Sequence, residues 1–244
     1  MEALADLSLE VAAGEFVCIV GPSGCGKTTL LNLAAGLERP DSGAVRVDGQ
    51  KVEGPAPDRV LVFQEPALFP WLSLRGNVEF GLWAQGVAAA RRRRTSHRYL
   101  KLMHLTRFAQ ARIHELSGGM KQRAALARSL ATDPDILLMD EPFASLDSQT
   151  RDLLIVELQE IWLRTHKTVL FVTHNLREAA ALGDRVVVLS ARPARAIRVL
   201  KIDLPRPRQI ESPGLRETIR PAMQDLRVEV AKVVEEEERR ASAD

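Results

Sequence analysis

Short apolar runs rich in β-branched residues recur along the chain: Phe16–Val20, Ala44–Val47, Val60–Phe63, Ile136–Met139, Thr168–Val172 and Arg185–Leu189. Runs that are apolar throughout, rather than alternating, suit strands buried on both faces, as in a parallel sheet. Between them lie helix-compatible stretches at Lys27–Ala35, Ser117–Ala131, Ser148–Arg164 and Leu176–Leu182. Strand alternating with helix predicts an α/β fold. Residues 75–133 break that alternation and read as helical throughout, so an inserted helical subdomain is expected there. Past Leu189 the pattern weakens. Pro193, Pro205, Pro207 and Pro213 punctuate it before Leu215–Arg240 resumes as a charged helix. The expected organisation is one large domain over residues 1–205 and a helical extension over residues 206–244.

Composition constrains this picture only mildly. At 244 residues, 45% hydrophobic and 27% charged, the chain can bury a sizeable core. Its 34 basic and 32 acidic side chains nearly cancel, which makes no case for nucleic acid as the main partner. Two cysteines exclude a disulfide scaffold and fit a reducing, intracellular setting. No apolar run approaches the ~18 residues that span a bilayer, and the first residues carry no signal-peptide pattern. A membrane role would therefore need a partner that holds the chain there. Arg91–Arg94 reads as a solvated helix end, with anionic lipid or a protein partner as the alternative. Glu235–Glu238 followed by Arg239 and Arg240 offers i,i+4 pairing on an exposed terminus.

The candidate chemistry begins at Gly21-Pro22-Ser23-Gly24-Cys25-Gly26-Lys27-Thr28, followed by Thr29, which matches G-x-x-x-x-G-K-[ST] at each fixed position. A polyphosphate needs many N–H donors converging without side chains in the way. Glycines permit that curl, and the following helix points its positive dipole end inward. Lys27 is placed to reach terminal phosphates, and the Thr28 hydroxyl to ligate Mg²⁺. Ile136–Asp140 then ends an apolar run in a carboxylate, with Glu141 next. At a strand C-terminus Asp140 can serve Mg²⁺, and Glu141 can take a proton from an attacking water. Further on, Ser117 reads as an N-cap, with Gly118 and Gly119 in the first helical turn. Two glycines there cost about 1 kcal/mol each. Such a start makes sense as a second phosphate-binding surface. One phosphate chain needs one cradle, so two copies are expected to share nucleotide.

Together these motifs resemble the nucleotide-binding subunit of an ATP-binding-cassette (ABC) transporter. The resemblance rests on the P-loop, Gln64 after the Val60–Phe63 run, LSGGM at Leu116–Met120, ILLMDE at Ile136–Glu141, Ser145-Leu146-Asp147, and His174. It implies a P-loop NTPase fold with a mainly parallel core sheet, an antiparallel β portion and a helical insertion. It also implies ATP and Mg²⁺ as cofactors and catalytic roles for Glu141, His174, Gln64 and Lys27. Gln64 would touch the metal and sense the membrane partner, and Asp147 would link the two sites of a dimer. The stretch from Phe63 through Trp71 to Asn77, and the tail from Ser190 to Arg208, are similar to importers of nitrate, sulfonates and taurine. The partners implied are a second copy, a membrane permease docking near Gln64–Asn77, and indirectly a periplasmic or extracellular solute-binding protein. The implied location is peripheral, on the cytoplasmic face of the cell membrane. The alternatives are an importer cassette for another small solute and a soluble, non-transport ABC ATPase. Repair types of the latter need a long coiled-coil insertion and translation types a second cassette, and this sequence has neither.

One feature departs from the family pattern. Its members begin with a further strand and an aromatic residue that stacks on adenine, yet no aromatic residue precedes Phe16 here. The expectation is that Met1 is an internal start and that an upstream segment is missing. Without the stacking ring, worth roughly 1–3 kcal/mol, ATP would bind about 5- to 150-fold more weakly.

Overall fold

The structure, a computed structural model, describes residues 2–241. Met1, on which the expectation of a missing upstream segment turns, lies outside the described residues.

At the centre stands β1 (Phe16–Val20), whose five residues are all buried. Alternate side chains point to opposite faces of a strand. Phe16, Cys18 and Val20 accordingly enter one apolar cluster, and Val17 and Ile19 the other. This is why the run is apolar throughout. The sheet is ordered β4 (Arg59–Val62), β5 (Ile136–Asp140), β6 (Thr168–Thr173), β1, β7 (Arg185–Leu189), β8 (Ala196–Lys201). Its first five strands are parallel, and β8 runs antiparallel to β7 at the edge. A separate two-stranded antiparallel pair, β2 (Arg46–Val47) and β3 (Gln50–Lys51), supplies more antiparallel structure.

Helices cover both faces. On one side α1 (Lys27–Ala35) buries Leu31 and Ala35 against Ile19, Leu138 and Val172. On the other, α5 (Ser148–Thr165) and α6 (Leu176–Leu182) bring Leu158, Trp162, Ala180 and Leu182 to Phe16 and Phe171. The region expected to be helical holds α2 (Leu74–Ala84), α3 (Ala89–Leu102), two short 3₁₀ turns and α4 (Gly118–Ala131). These pack through Val78, Leu82, Tyr99, Leu100, Leu126 and Leu130. Each such large apolar side chain contributes roughly 1.5–3 kcal/mol on burial. Asn77, fully buried, fixes how the chain enters α2: its side chain accepts from the Phe69 amide at 2.7 Å and donates to the carbonyls of Phe69 and Ser73, each at 3.1 Å.

Beyond β8, Arg206 pairs with Asp184 and lies over the Trp162 ring, 4.2 Å from its centroid. Buried Arg208 donates to the carbonyls of Ala180, Gly183, Ile202 and Leu204. These bonds press the proline-rich segment onto α6 and deliver the chain to α7 (Pro213–Ala241). That helix buries Leu215, Ile219 and Ala222 in the main core. Near its end Arg239 pairs with Glu235, four residues back, as the charge pattern predicts.

Candidate functional site

Parallel strands deliver their C-terminal ends to one edge of the sheet, where the loops that follow can converge. The P-loop leaves β1 here and turns directly into α1. Gly24 and Gly26 adopt φ of 71° and 118°, a left-handed region that glycine enters without steric penalty. Gly21 answers a different need. A Cβ there would come within 2.9 Å of Cys25 Sγ and 3.1 Å of Leu189 Cβ. Lys27, buried beneath the loop, donates its ammonium to the carbonyls of Gly21 at 3.0 Å and Pro22 at 2.8 Å. Pro22, Cys25 and Gly26 are buried; Ser23, Gly24 and Thr28 are exposed and Thr29 is half-buried. Both cysteines are free thiols, and burial pushes Cys25 above its ordinary pKa.

Two strands away, β5 ends at Asp140. Burial raises its pKa, opposed by the nearby Thr28 side chain. A hydroxyl and a carboxylate thus neighbour each other between α1 and β5. They form a small set of hard oxygen donors. Mg²⁺ suits such a set, since it takes few protein ligands and completes its shell with phosphate and water oxygens.

Glu141 follows with φ of 41°, a strained backbone for a residue with a Cβ, held by its amide bond to the Val172 carbonyl at 2.9 Å. The bend turns its carboxylate toward two partners. Glu141 Oε2 lies 2.7 Å from His174 Nδ1, and Oε1 lies 3.7 Å from Lys27 Nζ. Lysine, glutamate and histidine from three separate segments thus form one chain of charge-bearing contacts. His174 follows β6 directly and is exposed. Behind it, Thr173 Oγ1 donates to Glu178 Oε2 at 2.6 Å and accepts from the Asn175 amide, while Asn175 caps α6. Burial drives the Glu178 carboxyl up to about 7.

The other predicted residues fall in distinct places. Gln64, exposed, comes two residues after β4, which pairs in register with β5, so it emerges at the same sheet edge. Ser117 caps α4, accepting from the Met120 amide at 3.3 Å. Gly118 is exposed, and a Cβ there would meet nothing nearer than Leu146 at 3.9 Å. Gly119 differs: its Cβ would strike Thr150 Cγ2 at 2.7 Å, so that glycine serves the packing of α4 against α5. Asp147 caps α5 through the Thr150 amide at 3.0 Å, a bond that lowers its pKa. The P-loop, Asp140, Glu141 and His174 are therefore gathered at one edge. Ser117–Gly119 and Asp147 sit at the starts of α4 and α5, with no hydrogen bond to Lys27 among the described residues.

Three contacts carry no local sequence signal: Arg192 donating to the Gly24 carbonyl, Glu178 beneath Thr173, and Asn77 bracing Phe69. Each joins residues whose proximity only the fold creates, although Arg192 lies in the proline-marked tail.

The sequence pattern of the ABC transporter family matches residues 4–144, more than half of the chain. This chain belongs to the ABC transporter family. As an ABC cassette it is an ATP-binding, ATP-hydrolysing subunit of the importer type, coupled to transport. It is 51% identical over 203 residues to the nitrate import ATP-binding protein NrtD of Synechocystis, covering 83% of this chain and 76% of that protein. It is 45% identical over 203 residues to the taurine import ATP-binding protein TauB of Pseudomonas aeruginosa, covering 83% and 77%. An uncharacterized ABC transporter ATP-binding protein of Methanocaldococcus jannaschii is 49% identical over 232 residues, covering 95% of this chain and 87% of its own. Among solved structures, a dimeric post-hydrolysis state of the cassette MJ0796 bound to ADP and Pi superposes with a TM-score of 0.73. It shares 34% identity and covers 83% of this chain and 91% of that one. The sheet and helix arrangement is thus that of the P-loop NTPase fold.

Proposed function

We infer that this cassette works as a dimer that energises uptake of a small oxyanion, such as nitrate, an aliphatic sulfonate or taurine, through a separate permease. The observation that carries the catalytic part is the Lys27–Glu141–His174 chain at the sheet edge beside the P-loop. In this reading the glycine-lined loop and Lys27 hold the ATP phosphates, and Lys27 exchanges its two loop carbonyls for phosphate oxygens. Glu141 accepts the proton of the attacking water, while His174 orients the carboxylate and contacts the terminal phosphate. Thr28 and Asp140, with Gln64, would hold Mg²⁺, whose charge offsets that of the phosphates.

The open space above Gly118 supports a role for Ser117–Gly119 against nucleotide held by a second copy. So does the dimeric assembly named for the related cassette MJ0796. Asp147 would couple the two sites. The organisation proposed is an ABC domain over residues 1–205, with residues 75–133 as its helical insertion and residues 206–244 as an extension. The Gln64–Asn77 segment is the dock for the permease, and its rigidity comes from Asn77. The substrate class rests on the nitrate and taurine relatives, and a peripheral position on the cytoplasmic membrane face follows from a permease partner.

Replacing Glu141 with Gln is expected to keep ATP binding and cut turnover by roughly 10²–10⁴, the usual contribution of a general base. Phosphate release alongside ATP-binding isotherms measures this; turnover at the wild-type rate would remove Glu141 from the role. Purification from its native membrane should yield an integral membrane protein in constant ratio. Recovery without one would favour the non-transport alternative.

A further inference from the structure

The outer surface of the helical layer carries a charge pattern that nucleotide chemistry does not use. From Phe80 to His114 there is no Asp or Glu, while Arg91, Arg92, Arg93, Arg94, Arg98, Arg107, Arg112 and Lys101 all fall there. The rest of the chain therefore holds 26 basic against 32 acidic side chains, so a nearly neutral protein is internally polarised.

On α3 this polarity is sorted by face. Ser96, Tyr99 and Leu100 are buried, whereas Arg91, Arg93, Arg94, His97, Arg98 and Lys101 are exposed. At 3.6 residues per turn those six occupy one continuous arc opposite the buried residues. No ion pair engages the five exposed Arg and Lys side chains among the described residues. The nearest acidic residue in the elements packed on α3 is Glu79 of α2, already bound by Ser96 Oγ at 2.8 Å and paired with Arg75. Arginines in the first turns also face the positive end of the helix, where acidic residues would stabilise it by about 0.3–1 kcal/mol each. A merely solvated helix start gains nothing from that arrangement.

An aromatic row runs up to the same corner. The rings of Trp71, Phe69, Phe80 and Trp83 follow one another in that order at centroid spacings of 5.4, 4.4 and 5.8 Å. Trp71 and Trp83 are 67% and 60% exposed, and Trp83 sits on the last turn of α2, just before α3 begins. An exposed tryptophan shortly before an arginine-rich helix face that makes no ion pair among the described residues is the composition that settles at a lipid–water boundary. The arc is spread over about 15 Å of helix and made of long side chains without ion pairs among the described residues, Arg98 lying over the Tyr99 ring at 5.5 Å from its centroid. A diffuse anionic plane suits it better than a discrete carboxylate, which would require a fixed fork.

We propose that the exposed face of α3, with Trp83 at its border, binds the anionic lipid surface of the membrane. The contact is additional to the permease dock and orients the helical layer toward the bilayer. It neither crosses the membrane nor requires crossing, since no helix among the described residues is long and apolar enough.

The test is co-sedimentation of the full chain with phosphatidylcholine vesicles and with vesicles also containing phosphatidylglycerol, at low and physiological salt, without permease. Binding should need the anionic lipid and weaken with salt. The triple variant Arg91→Gln, Arg94→Gln, Arg98→Gln should lose about 100-fold in partition coefficient, as expected for three cations near a charged surface. The matching triple Lys variant should retain most of it, and unchanged ATPase activity would show that both variants are folded. Equal binding to both vesicle types, full binding by the Gln variant, or preference for a nucleic acid competitor over vesicles would each overturn the proposal. Because the assay contains no permease, its failure leaves the transport reading untouched.

Discussion

Glu178 shows what one carboxyl can weigh at this sheet edge. It is buried beneath the end of β6, next to His174, with one oxygen bonded to Thr173 and the other unpartnered. Burial lifts its pKa from 4.5 to about 7. Between those values the folded protein holds a proton that the unfolded chain has released. The stability this group confers is therefore fully present at low pH and is lost as pH rises toward 7. The gap amounts to about 3 kcal/mol. Glu178→Gln should flatten the fall in urea-measured stability between about pH 5 and pH 7 by that order, and an unchanged slope would assign the titration elsewhere. Nothing in the local sequence marks Glu178, because its environment is assembled by β1, β6 and α6 together. Lys27, Asp140 and Glu141 are different: their residue types and spacings match what phosphate chemistry would demand, so they could be singled out from the sequence, whereas His174 came only with the family resemblance. Gly119 was half legible. Its smallness is required, but against Thr150 as much as for any phosphate.

Elements were legible in proportion to their burial. β1, β7, α1 and α6 match the expected spans residue for residue, since continuous apolar runs and glycine or asparagine boundaries define them. β8 gave no signal because it is an edge strand. Its residues are exposed but for half-buried Leu200, with charged Arg198 between Ile197 and Val199 and Lys201 at the end, and only pairing with β7 makes it a strand. The fold class comes through intact for the same reason: it depends on long apolar patterns. The tail's attachment does not, because it rests on individual polar bonds. Arg208, whose pKa falls to about 10 through burial, is the clearest of these. Truncating Arg208→Ala would strand buried carbonyls of α6 and the β8–α7 connection. Each lost partner costs about 1–3 kcal/mol, so a loss of at least about 3 kcal/mol in denaturant stability is expected. A variant as stable as wild type would mean the segment is held by α7 alone.

For the whole molecule, the proposed dimer requires that each chain lend its P-loop as one half of a site and its Ser117–Gly119 helix start as the other. A solution mass that doubles when ATP is added to Glu141→Gln, and not when ADP is added, is the expected signature. A mass that stays monomeric in saturating ATP would leave Ser117–Gly119 without its proposed partner. The sequestration of positive charge on α3 has a consequence at longer range. Near any negatively charged interface, such a body experiences a torque before it touches anything, because field acts on separated charge at distances up to about a Debye length, roughly 8–10 Å in physiological salt. Tumbling becomes biased, and the arginine-bearing shoulder with its neighbouring tryptophans tends to arrive first. The search for a docking pose then narrows from all orientations to a few, so that the encounter rate responds to ionic strength even where the final affinity scarcely does.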